Sequence, residues 1–212
     1  MTHRLARRAA LRLSLAALAG LTAWPGLAQA ADAAVLAPIH ALNEALAAVI
    51  KSGKATPFPE RFATLSPVVR QSFDLPTILR LVVGTRFAGF PPELQMALLE
   101  EFHRFTVASY VANFDGSSSE KLEVLPETRP VGADQVVRTR IIFSKDDPVR
   151  VDYVMHNEDG TWRAVDVLLD GSISRVAVQR SDFRRLLETG GAPALIVSLR
   201  KKVADLSGGT MQ

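Results

Sequence analysis

No cysteine occurs among the 212 residues. That absence excludes a disulfide-stapled scaffold, a thiolate zinc site and a cysteine nucleophile. Histidine is scarce as well, and only His40, His103 and His156 lie beyond the N-terminal segment. The chain has no Gly-x-Ser-x-Gly elbow, no Walker phosphate loop and no His-Glu-x-x-His helix. Strand and helix patterns do not alternate, so a nucleotide-binding parallel sheet is not expected, and no internal repeat is present. Glu100-Glu101-Phe102-His103 contains one Glu-x-x-His spacing. Di-iron bundles need two such motifs and further glutamates, so an exposed helix face carrying a polar histidine is the simpler reading. The pairs Asp146-Asp147 and Glu158-Asp159 fall at hairpin-like turns, where aspartate is favoured for backbone reasons. Asp166 and Asp170 flank strand apolars, and Asp170-Gly171 reads as a turn. Bond-breaking chemistry has no visible home. No cofactor and no metal are implied.

The sequence also lacks a long apolar run outside its start. Arg4, Arg7, Arg8 and Arg12 form a basic opening with no acid among them. An apolar run from Leu13 to Trp24 follows, and Ala28-Gln29-Ala30 has the small-x-small pattern of a signal-peptidase site. Residues 1–30 are therefore expected to be a secretory signal peptide cleaved after Ala30, with an uncleaved anchor as the alternative. Cleavage removes four of the 25 basic residues and leaves 21 against 22 acids. The net charge of +3 then falls to about −1, which removes the case for a nucleic-acid partner. An exported domain without cysteine must hold together by core burial, and 182 residues suffice for that. A bacterial periplasm is the expected destination, and no later stretch reads as a membrane span.

The remaining chain reads as helices, then strands, then helices. Val35, Ile39, Leu42, Leu46 and Val49 repeat at helical spacing from Ala33 to Lys51, and Gly53 stops the run. A short second helix is expected near Glu60 to Leu65. Asp74 caps a third helix that ends at Gly84, and Pro91-Pro92 begins a fourth carrying Leu94, Leu98, Phe102, Phe105 and Tyr110. Asp115 to Ser119 is a loop. The period then changes to two. Val137, Thr139, Ile141 and Phe143 share one strand face, as do Val149, Val151, Tyr153 and Met155. Asn157 to Gly160 is a hairpin turn, Trp162 to Leu169 a third strand, and Ile173 to Val178 a fourth. Helices from Ser181 to Gly190-Gly191 and from Ala194 close the chain. The expected class is α+β, one domain over 31–206, with 207–212 as a flexible tail.

The stretch from Phe73 to Leu199 resembles the MlaC family, periplasmic phospholipid-binding proteins also known as toluene-tolerance or auxiliary ABC-transport components. The matching pieces, in order, are Phe73-Asp74-Leu75-Pro76 with Leu81-Val82-Val83-Gly84, Phe102 to Tyr110, and Val149-Arg150-Val151-Asp152-Tyr153. Gly160-Thr161-Trp162-Arg163-Ala164-Val165-Asp166-Val167, Asp170-Gly171-Ser172-Ile173-Ser174, Arg180-Ser181-Asp182-Phe183 and Leu195 to Leu199 complete them. Phe87 stands where the family usually has tryptophan, and Val124 to Asp134 matches poorly. The resemblance implies an NTF2-like arrangement with N-terminal helices packed on a curved antiparallel sheet, C-terminal helices, and an apolar pocket between the layers. It also implies a monomeric carrier that shuttles phospholipid between an outer-membrane lipoprotein complex and an inner-membrane ABC transporter complex. An HpnM-like relative associated with hopanoid lipids is the alternative ligand class, and an enzyme built on the same fold is the alternative function.

Elementary energetics agree with a carrier. An acyl tail of about 16 methylenes loses roughly 13 kcal/mol of transfer free energy in water, at about 0.8 kcal/mol each. Such a ligand needs an apolar enclosure free of reactive groups. The candidate pocket residues are Phe73, Ile78, Val82, Phe102, Phe105, Ile141, Phe143, Val151, Tyr153 and Val167. A histidine and an aspartate brought into that pocket would instead favour an enzyme.

Overall fold

The computed structural model describes residues 25–116 and 120–212, with side chains from residue 33 onward. The expected signal peptide lies outside the described residues up to residue 24, as do residues 117–119 of the expected loop. Helix α1 spans Pro25–Ser52 and α2 Phe58–Ser72. Helix α3 spans Leu75–Val83, and a 3-10 segment at Gly84–Gly89 leads to α4, Pro92–Asn113. Strands β1 (Lys121–Val131), β2 (Asp134–Ile142), β3 (Val149–Glu158), β4 (Thr161–Leu169) and β5 (Ile173–Ser174) follow, and α5 covers Arg175–Leu206. The class is α+β, as the sequence suggests. The five strands form one antiparallel meander in the order β1-β2-β3-β4-β5.

Local chemistry sets both ends of α3 and the tight turns of the sheet. Asp74 accepts from the Thr77 N–H at 3.0 Å, and Gly84, at φ 75°, ends α3. The turns at Asp159-Gly160 and Asp170-Gly171 have positive φ at both residues, as hairpin turns of the primed type require. Helix α1 buries Val35, Ile39, Leu42, Leu46 and Val49, the expected stripe. Ala33–Ser52 is nonetheless apolar enough to cross a membrane by composition, with a mean hydropathy of 1.6. The reading that no later stretch qualifies is corrected on composition, and the burial of that stripe shows α1 serving as a core helix.

Two other expectations are corrected. Helix α2 continues through Pro67 to Ser72 instead of stopping near Leu65. Proline removes one hydrogen bond there, but full burial of Leu65 and Val69 and a 2.9 Å bond from the Ser72 hydroxyl to the Pro38 carbonyl hold the added turns. Ile173 to Val178 is a two-residue strand followed by helix, because the Ser174 side chain accepts from Ala177 N–H and caps α5. The break expected at Gly190-Gly191 is present: Gly191, at φ 61° and ψ −152°, is non-helical and divides α5 into two helical segments. Strand β1 carries no strand period in the sequence. It is an edge strand containing Pro126 and Pro130, with a bulge between Val124 and Thr128.

The helices pack on one face of the sheet. Helix α4 lies against α5 and α2, and α1 against α2 and β1. The link between α2 and α3 joins the sheet directly: Phe73 bridges Ala164, and Asp74 N–H donates to the Ala164 carbonyl at 2.9 Å. At the C-terminus, Gly209 N–H donates to the Ala204 carbonyl at 2.8 Å, Met211 N–H to Ser207 Oγ at 3.1 Å, and Arg104 to the Gln212 carbonyl.

Candidate functional site

A cavity of about 360 Å3 lies between the helices and the inner face of the sheet. That is within the range of roughly 300–1,000 Å3 usual for small-molecule pockets. The period of two builds its floor. Thr139, Ile141 and Phe143 reach it from β2 and its end, Val149, Val151 and Tyr153 from β3, and Val167 and Leu169 from β4. Further along β3 the same face is solid core, where Met155 is fully buried. Helix α3 contributes Leu75 and Ile78, α4 contributes Phe102, Phe105 and Tyr110, and Phe114 follows at the end of α4.

Aromatic rings line one wall. Phe73 lies 5.9 Å from Tyr110 and 6.1 Å from Tyr153, and Tyr110 stacks on Phe114 at 6.1 Å, all between ring centres. The chain has two tyrosines, and both are here. Burial pushes the Tyr153 hydroxyl up to about 12 and the Tyr110 hydroxyl well above the usual range, with the two hydroxyls interacting. Neither ionises near neutral pH.

Four polar residues on the wall are partnered within the protein. The Thr106 and Ser109 hydroxyls donate to the Phe102 and Phe105 carbonyls, each at 2.8 Å, and Thr139 donates to the Val151 carbonyl. Asp166 accepts from the Val167 N–H at 2.7 Å, the Val176 N–H at 3.1 Å and the Ser174 hydroxyl. Its carboxylate thereby fastens β4 to the start of α5. Asn43 Nδ2 and Glu120 Oε2 are buried without a hydrogen-bond partner. These two residues and Leu122 also line a second groove of about 490 Å3 between α1 and β1, beside His40.

Nine of the ten candidate pocket residues line the cavity. Val82 does not; it is 1% exposed and packs in the helical core one turn beyond Ile78. No histidine lines the cavity among the described residues. His156 projects from the other sheet face, with Nδ1 2.6 Å from Asp134, and that hydrogen bond raises its pKa. His103 was expected on an exposed helix face but is 2% exposed. It lies between α4 and α2, where Nε2 donates to the Ser66 carbonyl at 3.2 Å and Nδ1 accepts from Arg70 at 3.0 Å. Burial above all lowers its pKa. Glu101 beside it is buried as well, accepting from Arg200 at 2.8 Å.

Sequence reasoning missed part of the wall. Thr139, Val149 and Leu169 follow from the alternation already recognised, and Tyr110 from the α4 stripe. Leu122 depended on β1, while Arg175, Val176 and Gln179 depended on the true start of α5. Those two elements carried no clear periodic signal.

Comparison with curated proteins finds no match. Among solved structures, a similar one is the phospholipid-binding protein from Ralstonia solanacearum in complex with a phospholipid. It is 18% identical, with a TM-score of 0.68, over 82% of this chain and 98% of the other. At that identity the likeness establishes the fold, with helices and an antiparallel sheet in the same arrangement. Residues 40–201 match the MlaC protein family, well over half of the sequence, and the chain belongs to that family.

Proposed function

We propose that this protein is a periplasmic phospholipid carrier that encloses lipid tails in the cavity between its helices and sheet. The observation that carries this reading is the character of the wall. Its aromatic and aliphatic side chains surround a volume of about 360 Å3, and Thr106, Ser109, Thr139 and Asp166 turn their polar atoms to partners within the protein. Such a wall favours methylenes, each contributing about 0.8 kcal/mol on transfer from water. Membership of the MlaC family and the phospholipid held by the similar Ralstonia protein support the same ligand class.

Within this reading the protein binds lipid without chemically changing it. Among the described residues no histidine joins Asp166 in the cavity, and its two tyrosines stay protonated. Handover then depends on differences in affinity between the carrier and membrane partners, proposed as an inner-membrane ABC transporter complex and an outer-membrane lipoprotein complex. The N-terminal segment supports export, and N-terminal sequencing of the exported protein should begin at Ala31.

The test is to incubate the purified protein with vesicles of labelled phospholipid and with acceptor vesicles. Intact lipid should move to the protein and onward. Time-dependent release of fatty acid or head group, lost on Asp166→Asn, would establish an enzyme instead. Preferential loading of a hopanoid from mixed vesicles would establish the alternative ligand.

A further inference from the structure

We propose that Arg175 is the anion-binding residue of the cavity, holding the lipid phosphate and selecting phosphate-bearing lipids over uncharged ones. This assignment rests on the carrier reading above and specifies its ligand. Arg175 is the only lysine, arginine or histidine on the cavity wall among the described residues. It makes no hydrogen bond or ion pair with any described residue. Its charge opposes the upward push of burial on the Tyr110 hydroxyl across the cavity wall that both residues line.

Its place in the fold is unfavourable without a ligand. Arg175 is the first residue of α5, whose first helical segment runs to the break at Gly191 and whose first turn holds no acid. A cation there meets the positive end of the helix dipole. The carboxylate bound to this turn, Asp166, is occupied by the Val167 and Val176 N–H groups and the Ser174 hydroxyl. The helix start itself is also satisfied, since the N–H groups of Val176 and Ala177 donate to Asp166 and Ser174. The free donor is therefore the guanidinium. Gln179, four residues on, lines the same wall and has no hydrogen-bond partner among the described residues. Glu120, the other carboxylate on the wall, also faces the groove between α1 and β1 and makes no ion pair with Arg175.

A guanidinium offers planar, paired donors that match phosphate oxygens, and a partly desolvated site strengthens them. Apolar walls hold the tails whatever the head group. Arg175 supplies the one attractive charge that separates a phospholipid from a neutral lipid with the same tails.

The experiment uses delipidated protein lacking residues 1–30, in wild-type, R175Q and R175E forms. Binding is measured for dipalmitoyl phosphatidylglycerol, dipalmitoylglycerol and inorganic phosphate, with melting curves recorded for each form. Wild type should bind the phospholipid about tenfold more tightly than the neutral lipid. In R175Q the ratio should fall to near one, and in R175E below one. Inorganic phosphate should not compete, because it has no tails to bury. A ratio unchanged in both variants would overturn the assignment, as would equal losses for both lipids, which mark a structural role. Competition by inorganic phosphate at low concentration would assign the site to a free anion. Wild-type protein that binds neither lipid would overturn the carrier reading and this assignment with it.

Discussion

The two ends of the molecule use the same side-chain types to opposite effect. Where α4 crosses α2 and the second half of α5, Leu65, Leu98, Leu195 and Leu199 are all fully buried, leaving no access to solvent. Where α3 and α4 face β2 and β3, Phe105, Ile141 and Val167 are only partly buried around open space. Polar groups differ in the same way. In the packed end, Glu101 accepts from Arg200 and Arg104, and His103 is held by Ser66 and Arg70, so each fastens one helix to another. In the cavity, hydroxyls turn back onto the backbone of their own helix or the adjacent strand, and the walls stay apart. A filled core confers stability. An unfilled one leaves stability unrealised and keeps room for a ligand.

Substitutions should separate the two ends. Leu98→Ala should cost about 2–5 kcal/mol in chemical denaturation, because its surroundings cannot collapse into the gap. Lipid carried per folded molecule should not change. Glu101→Ala should cost about 1–3 kcal/mol, since Arg104 and Arg200 lose a buried acceptor between α4 and α5. Ile141→Ala on the cavity wall should cost less than either, about 1 kcal/mol, because part of its surface already faces open space. It should weaken lipid retention, measurable as faster loss of labelled lipid to acceptor vesicles. A cost for Ile141→Ala equal to that of Leu98→Ala would erase the distinction between the ends.

The smallest effects are in pH. His103 has its pKa lowered by burial, so the folded state favours the neutral ring. Its contribution is complete above the ordinary value of 6.5 and declines as pH falls below it. His156 has its pKa raised by Asp134, so its contribution is present below 6.5 and is lost as pH rises through the raised value. Melting curves from pH 5 to 8 should therefore lose part of their acid limb in His103→Gln. His156→Gln should change only the other limb, and only slightly, because the pair is exposed to solvent.

Legibility in the sequence divides along similar lines. Asp74, Gly84 and the Asp-Gly turns announced themselves, because each backbone conformation demands a particular residue. The alternation on β2 and β3 gave most of the cavity floor. Strand β1 is hidden in the sequence because its residues are all exposed or half-exposed, with prolines and charges in place of an apolar period. The start of α5 read as strand through Ile173, Val176 and Val178, and only the cap from Ser174 and the reach of Asp166 across from β4 fix it as helix. Val82 lies on α3 one turn beyond Ile78, and periodicity cannot tell a residue facing packed core from one facing a gap.

The most direct test is native mass spectrometry of the protein purified from the periplasm, beside a Val151→Arg variant. Val151 lines the cavity from β3, where a charge opposes lipid tails. Wild type should carry the mass of one phospholipid per chain, and the variant should be lipid-free with a melting temperature within a few degrees of wild type. A lipid-free wild-type protein would contradict the carrier assignment, and a variant that retains lipid would contradict the placement of the ligand in this cavity.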